Sequence, residues 1–325
     1  MAAALLLAGC AGQTAPDELL SEGAGSDPLG PKRIALTYDD APMGDGPVLT
    51  GRERTDRILA ALDSAGVPPV AIFATTRGMD EPGGRARMEA YAEAGHLIAN
   101  HSHTHPHASR MEVEAYLADL DAAEERLRGL PNRRAWFRFP FLDEGGYGED
   151  REAARARRDA LRAGLAERGL MSGYVTVDTY DWHLVSLWRD AVGAGRAVDL
   201  EALETVYADM VVDAAEHYDG LAIETLGRRP AQVLLLHEND LAAEFTEAMV
   251  EALQAEGWEI VSPDVAFADP IADVLPDTLF AGMGRVAAIA HDGGARGAEV
   301  FDHWSASREG IEARTEAAGA FGEAP

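Results

Sequence analysis

The stretch Arg33-Ile34-Ala35-Leu36-Thr37-Tyr38-Asp39-Asp40-Ala41-Pro42 begins as a short apolar run and ends on two adjacent carboxylates. Arg33 to Thr37 suits a strand buried on both faces. Similar runs recur at Val70 to Thr75, Leu97 to Asn100, Trp136 to Arg138, Tyr174 to Val177, Val233 to Leu236 and Glu259 to Val261, giving seven strand candidates. Between them lie longer segments with apolar residues at three- and four-residue spacing, as in Ile58, Leu59 and Leu62, or Met111, Ala115, Leu117 and Leu120. That spacing predicts helices. Gly66, Gly95, Gly129, Gly169 and Gly257 stand just past several of them, where a left-handed residue closes a helix. Alternating strand and helix call for parallel strands with crossover helices, and hence an α/β fold. A (β/α) barrel fits best. An open doubly wound sheet would share the alternation, but the G-x-G-x-x-G turn of a dinucleotide site is absent after the first strand.

A length of 325 residues allows one large domain or two small ones. With 28 basic and 56 acidic residues the net charge is −28, which argues against nucleic acid, or any partner held mainly by phosphate or anionic-lipid charge. The acid is spread over helices such as Glu112 to Glu125 and Glu244 to Glu256, as solvated faces are. The single cysteine closes Leu7-Ala8-Gly9-Cys10, a string that resembles the lipobox of bacterial lipoproteins, although the apolar run is short and no Lys or Arg precedes it. On that likeness, residues 1–10 are a signal and lipobox segment, and the protein is exported to the cell envelope as a lipid-anchored lipoprotein, periplasmic or on the outer surface. Membrane contact would come only through that anchor. Residues 11–31, rich in Gly, Ser, Pro, Asp and Glu, read as a flexible tether. The folded domain is expected over 32–262, with a partly disordered extension over 263–325 that ends in a frayed helix.

Five polar clusters fall at the ends of predicted strands, the face on which a barrel collects its active site. Asp39 and Asp40 end the first, and two neighbouring aspartates are not buried without a cation; a turn or helix cap is the plainer use of such a pair. Asn100-His101-Ser102-His103-Thr104-His105-Pro106-His107 follows the third and holds four of the ten histidines. One helical turn across His101 and His105 would aim both imidazoles at one point, as a metal requires. Arg138 ends an aromatic strand and needs a carboxylate. Asp178-Thr179-Tyr180-Asp181-Trp182-His183 and the strand-ending His237 complete the set.

In order and residue type these clusters resemble the five motifs of the polysaccharide deacetylases, carbohydrate esterase family 4, with its NodB-type homology domain. The resemblance implies a distorted (β/α)7 barrel and a hydrolase of linear amides, with acetylated polysaccharide or oligosaccharide as substrate. It implies Asp39 as general base, paired with Arg138, and Asp40, His101 and His105 as ligands of Zn2+ or another divalent transition metal. The backbone N–H near Phe141 would help hold the oxyanion, Trp182 would line the acetyl pocket, and Leu235 would touch the acetyl methyl. His237 would be the general acid, oriented by Asp181, with Asp178 as second choice. Ala41 and Phe141 depart from the family's usual Gly and Tyr. His103 and His107 are extra and expected at the surface, and His291, Asp292 and His303 are expected in loops. Two His and one carboxylate with open positions suit a catalytic zinc, which lowers the pKa of water toward roughly 7. Three functions follow: N-deacetylase of peptidoglycan or a chitin-like glycan, O-acetyl esterase of the xylan type, or a non-catalytic glycan-binding lipoprotein.

Overall fold

A computed structural model describes residues 29–279, 282–297 and 301–323. The lipobox-like string and nearly all of the expected tether lie outside them. The chain alternates β1 (Arg33–Ala41), α1 (Gly51–Ser64), β2 (Ala71–Ala74), α2 (Gly84–Glu93), β3 (Leu97–Asn100), α3 (Val113–Leu127), β4 (Arg133–Phe137), α4 (Arg151–Glu167) and β5 (Met171–Ser172). It continues through α5 (Asp181–Gly193), α6 (Leu200–Leu226), β6 (Gln232–His237), α7 (Asp240–Ala255), β7 (Glu259–Ile260) and α8 (Pro263–Ala266). Two helices of the extension, α9 (Gly284–Asp292) and α10 (Arg308–Ala318), follow.

Every strand pair is parallel, in the order β5-β4-β3-β2-β1-β6. Ile34 pairs with Gln232 of β6 and with Ile260 of β7, so β7 fills the β1 edge below β2. Strands β2 and β3 are buried along their whole length, as expected of a sheet covered on both faces. Helices pack outside it: Ile58 and Leu62 of α1 and Met249 and Leu253 of α7 are buried.

The sheet curls into a barrel, and its closure is irregular. The segment after β4 pairs with β4 at Met171 and Ser172, then meets β6 at an isolated bridge between Val177 and Leu234 instead of along a regular strand. The strand expected over Tyr174 to Val177 is therefore displaced. Arg138 is the cause: its guanidinium takes the carbonyls of Gly173 at 2.7 Å and Tyr174 at 3.4 Å, which a regular ladder would have used. Gly173 also has no room for a side chain, since a Cβ there would lie 2.5 Å from the Phe73 ring and 3.3 Å from Arg138 Cβ. Gly173→Ala is expected to cost about 1–3 kcal/mol through overpacking. A urea midpoint equal to that of the wild type would show that the closure is slacker than this.

Order continues into the extension expected over 263–325. Helix α10 is capped by Ser307, closes on Gly319 in the left-handed region, and buries Ile311 completely. His291 and Asp292 lie in the last turn of α9, and His303 caps a short 3-10 turn, so none of the three is a plain loop residue.

Candidate active site

In a regular strand, adjacent side chains point to opposite faces, so Asp39 and Asp40 could not share a site. The β1–β2 register shifts between Asp39 and Ala41, and Asp40 sits at φ 69°. That bulge turns both carboxylates toward one cleft. Asp tolerates the left-handed region better than most residues, which suits it to the position.

The histidine segment does not form the helical turn expected of it. Ser102 and His105 have φ of 73° and 57°, and Pro106 disfavours helical geometry at the residue before it. Side chains hold the segment as a reversing loop. Asn100 accepts from the Ser102 N–H at 2.7 Å, Ser102 Oγ accepts from the His105 N–H at 2.9 Å, and Asp119 accepts from the His103 and Thr104 N–H groups. The loop nevertheless brings the two imidazoles together, with ring centroids 5.0 Å apart.

His101 Nδ1 lies 2.9 Å from the Arg138 carbonyl and can only donate there, which leaves Nε2 with its lone pair toward the aspartates. Nε2 stands 3.7 Å from Asp40 Oδ1, and His105 Nε2 stands 3.2 Å from the same atom. Ligand atoms held about 2.0–2.1 Å from a tetrahedral ion lie about 3.3 Å apart. Asp40, His101 and His105 thus fit one divalent metal, and their ligand atoms all lie within 4.8 Å of one another. Burial, reinforced by His101, outweighs the aspartates and pushes His105 down to about 4, so its ring is neutral at physiological pH and its lone pair is available. Burial alone would raise Asp40, but His105, His101 and His237, with a hydrogen bond from Thr75, hold it below the usual carboxylate range.

Asp39 is buried beside this trio. Its Oδ1 accepts from Arg138 at 2.7 Å, and its Oδ2 lies 3.5 Å from His101 Nε2. Arg138, itself buried, is clamped by Thr37 and Gly173 and stacks 3.9 Å over Phe73. Across the cleft, Asp181 opens α5 and is completely buried. One of its oxygens meets His237 Nδ1 at 2.6 Å, and the other accepts from the His237 N–H and from Asn239. Burial works against the imidazolium, yet Asp181, with Asp40 and Asp39, raises His237 to about 10, so it keeps its proton through neutral pH. Asp178 does not orient His237. It lines the cleft with an Oδ2 that has no hydrogen-bond partner, and burial pushes it up to about 8.

Phe141 sits at φ 59°, half exposed, stacked on His107 at 3.7 Å and edge-on to His105 at 4.5 Å. Its N–H makes no hydrogen bond among the described residues. His107 is thus a support for Phe141, and His103 bonds to Thr76; neither is a bare surface residue. Trp182 and Leu235 complete the expected lining of a cleft of about 460 Å3. Sequence reasoning missed Tyr147, Tyr180, Gly282 and Arg308, which line the same cleft. Gly282 and Arg308 come from the extension, where no motif marks them.

Residues 26–161 match the family model for polysaccharide deacetylase. Among solved structures, the chain is similar to the catalytic domain of a peptidoglycan N-acetylglucosamine deacetylase from Eubacterium rectale, at 19% identity and TM-score 0.50, covering 74% of this chain and 92% of that one. It is also similar to the chitin deacetylase of the fungal pathogen Colletotrichum lindemuthianum, at 17% identity and TM-score 0.50, covering 74% of this chain and 88% of that one. At such identities the likeness speaks to the fold.

Proposed function

From the match of residues 26–161 to the polysaccharide deacetylase family model and the geometry of the cleft, we propose that the chain is a member of that family and a metal-dependent hydrolase removing N-acetyl groups from an N-acetylglucosamine glycan of the cell envelope. The observation that carries this is the pairing, in one cleft, of a three-residue ligand set with an aspartate outside that set and a histidine whose Nδ1 is held by Asp181. The structural relatives named for peptidoglycan and chitin support the glycan, and the string ending in Cys10 supports the envelope.

Asp40, His101 and His105 would hold the ion. A divalent ion there supplies Lewis-acid polarisation and a water acidified toward roughly pKa 7. Asp39, its orientation fixed by Arg138, takes a proton from the attacking water. The Phe141 N–H donates to the oxygen that gains negative charge as the acetyl carbon becomes tetrahedral. Leu235 and Trp182 shape the recess for the acetyl methyl. An amine leaves poorly unless protonated, and His237, with Nδ1 held by Asp181, has Nε2 available to protonate it.

The decisive assay measures acetate release from N-acetylglucosamine oligomers with and without chelator. His237→Ala is expected to lower the rate on the amide about 10²–10⁴-fold. Its effect on O-acetylated xylan should be much smaller, because an alkoxide depends less on protonation. Equal losses on both substrates would remove the basis for preferring the amide, and no acetate from either would favour a binding protein.

A further inference from the structure

We propose that Arg308, carried by the C-terminal extension, is a specificity-determining residue that binds a carboxylate on the substrate beside the acetylated sugar; this rests on reading the cleft as that of a glycan deacetylase. Arg308 is the first residue of α10, and its guanidinium carbon lies 4.7 Å from the centroid of the Trp182 ring. It lines the cleft that holds Asp39, Asp40 and His237.

The extension is fixed firmly enough to place it. Ser307 Oγ accepts from the Gly310 N–H at 3.2 Å, Tyr180 N–H donates to the Ser305 carbonyl at 2.7 Å, and Glu312 meets His183 Nε2 at 2.9 Å. Trp304 Nε1 donates to Asp213, and Ile311 is buried in the core. The guanidinium therefore projects from a packed element.

Acidic residues outnumber basic ones two to one here, and Arg134, Arg168 and Arg228 each close on an aspartate. Arg308 has no hydrogen bond or ion pair to any described residue. Stacking on Trp182 occupies its face and leaves the N–H edge for a planar, bidentate acceptor, the geometry in which arginine recognises carboxylate. Around Asp39 and Asp40 an anionic substituent would be repelled. Arg308 supplies the opposite charge at another part of the same cleft, so a glycan carrying both groups can seat its acetamide toward the aspartates and its carboxylate on the arginine.

The test uses two matched N-acetylhexosamine oligomers, one with a lactyl-ether carboxylate on the neighbouring sugar and one with that carboxylate reduced to the alcohol. Binding is measured by titration calorimetry on the full chain in chelator, where no turnover occurs. Wild type is expected to bind the carboxylate form about fivefold more tightly, with the preference shrinking as ionic strength rises. Arg308→Gln should bind both equally, and Arg308→Lys should keep part of the preference. A wild type without preference, or an Arg308→Gln protein that retains it, overturns the proposal. Acetate release from the neutral oligomer by metal-loaded wild type judges the deacetylase reading separately, since that substrate never engages Arg308 through charge.

Discussion

Asp39→Asn is expected to lower acetate release about 10²–10⁴-fold, the usual contribution of a general base, while metal content stays at the wild-type ratio. The substitution keeps the shape and an oxygen for Arg138, which now donates to Asp39 Oδ1 at 2.7 Å. An amide cannot take a proton from water. The ligand set does not include Asp39, so ion binding should survive. A second effect is separable: Arg138 is buried, and losing its charged partner should lower the melting temperature, because breaking a buried pair commonly costs about 3–5 kcal/mol. Rates are therefore compared well below the transition of the variant. An Asp39→Asn enzyme with full activity would remove Asp39 as the base, and one that lost its metal would place Asp39 among the ligands.

Much of this site could be read from the chain because a barrel delivers strand ends to one face. Asp39, Arg138 and His237 needed only the apolar run before each of them to be located, since the run fixes where the strand ends and the fold fixes where that end points. Asp181 is assigned to His237 only through the family resemblance, with Asp178 as second choice; in the fold it opens α5 and its carboxylate meets His237 Nδ1.

What could not be read depends on backbone departures that side-chain pattern does not encode. Periodicity sends Asp40 to the wrong face, and only the bulge at that residue corrects it. Spacing of four between His101 and His105 suggests a helix, whereas a loop closed by Asn100, Ser102 and Asp119 gives the same convergence by another route. The fifth strand shifts because a buried guanidinium claims two carbonyls, a contact between segments 35 residues apart. Arg308 is the extreme case: it reaches the cleft from an extension whose packing onto α5 and α6 decides everything about its position.

His105→Ala is expected to lose both the ion and turnover, unlike Asp39→Asn. Removing one of three protein ligands should weaken metal binding more than the roughly 10–100-fold seen when a residue behind a ligand is changed. His105 suits the role because its ring is held neutral, pushed down to about 4, so no proton competes for the lone pair that faces Asp40 at 3.2 Å. Alanine brings a complication, since residue 105 has φ 57° and a non-glycine residue there is strained. His105→Asn resolves it: asparagine accepts that backbone region and preserves the loop, yet supplies a poor ligand. If the loop alone mattered, the asparagine variant would keep its ion while the alanine variant lost it. If the imidazole is the ligand, both lose it in a chelator competition, and excess metal restores part of the activity. His107→Ala is the control, because it removes a ring that stacks on Phe141 and lies outside the ligand set, so the metal should stay. A His105→Asn protein that held its ion as tightly as wild type would exclude His105 from the shell and leave Asp40 and His101 short of a catalytic site.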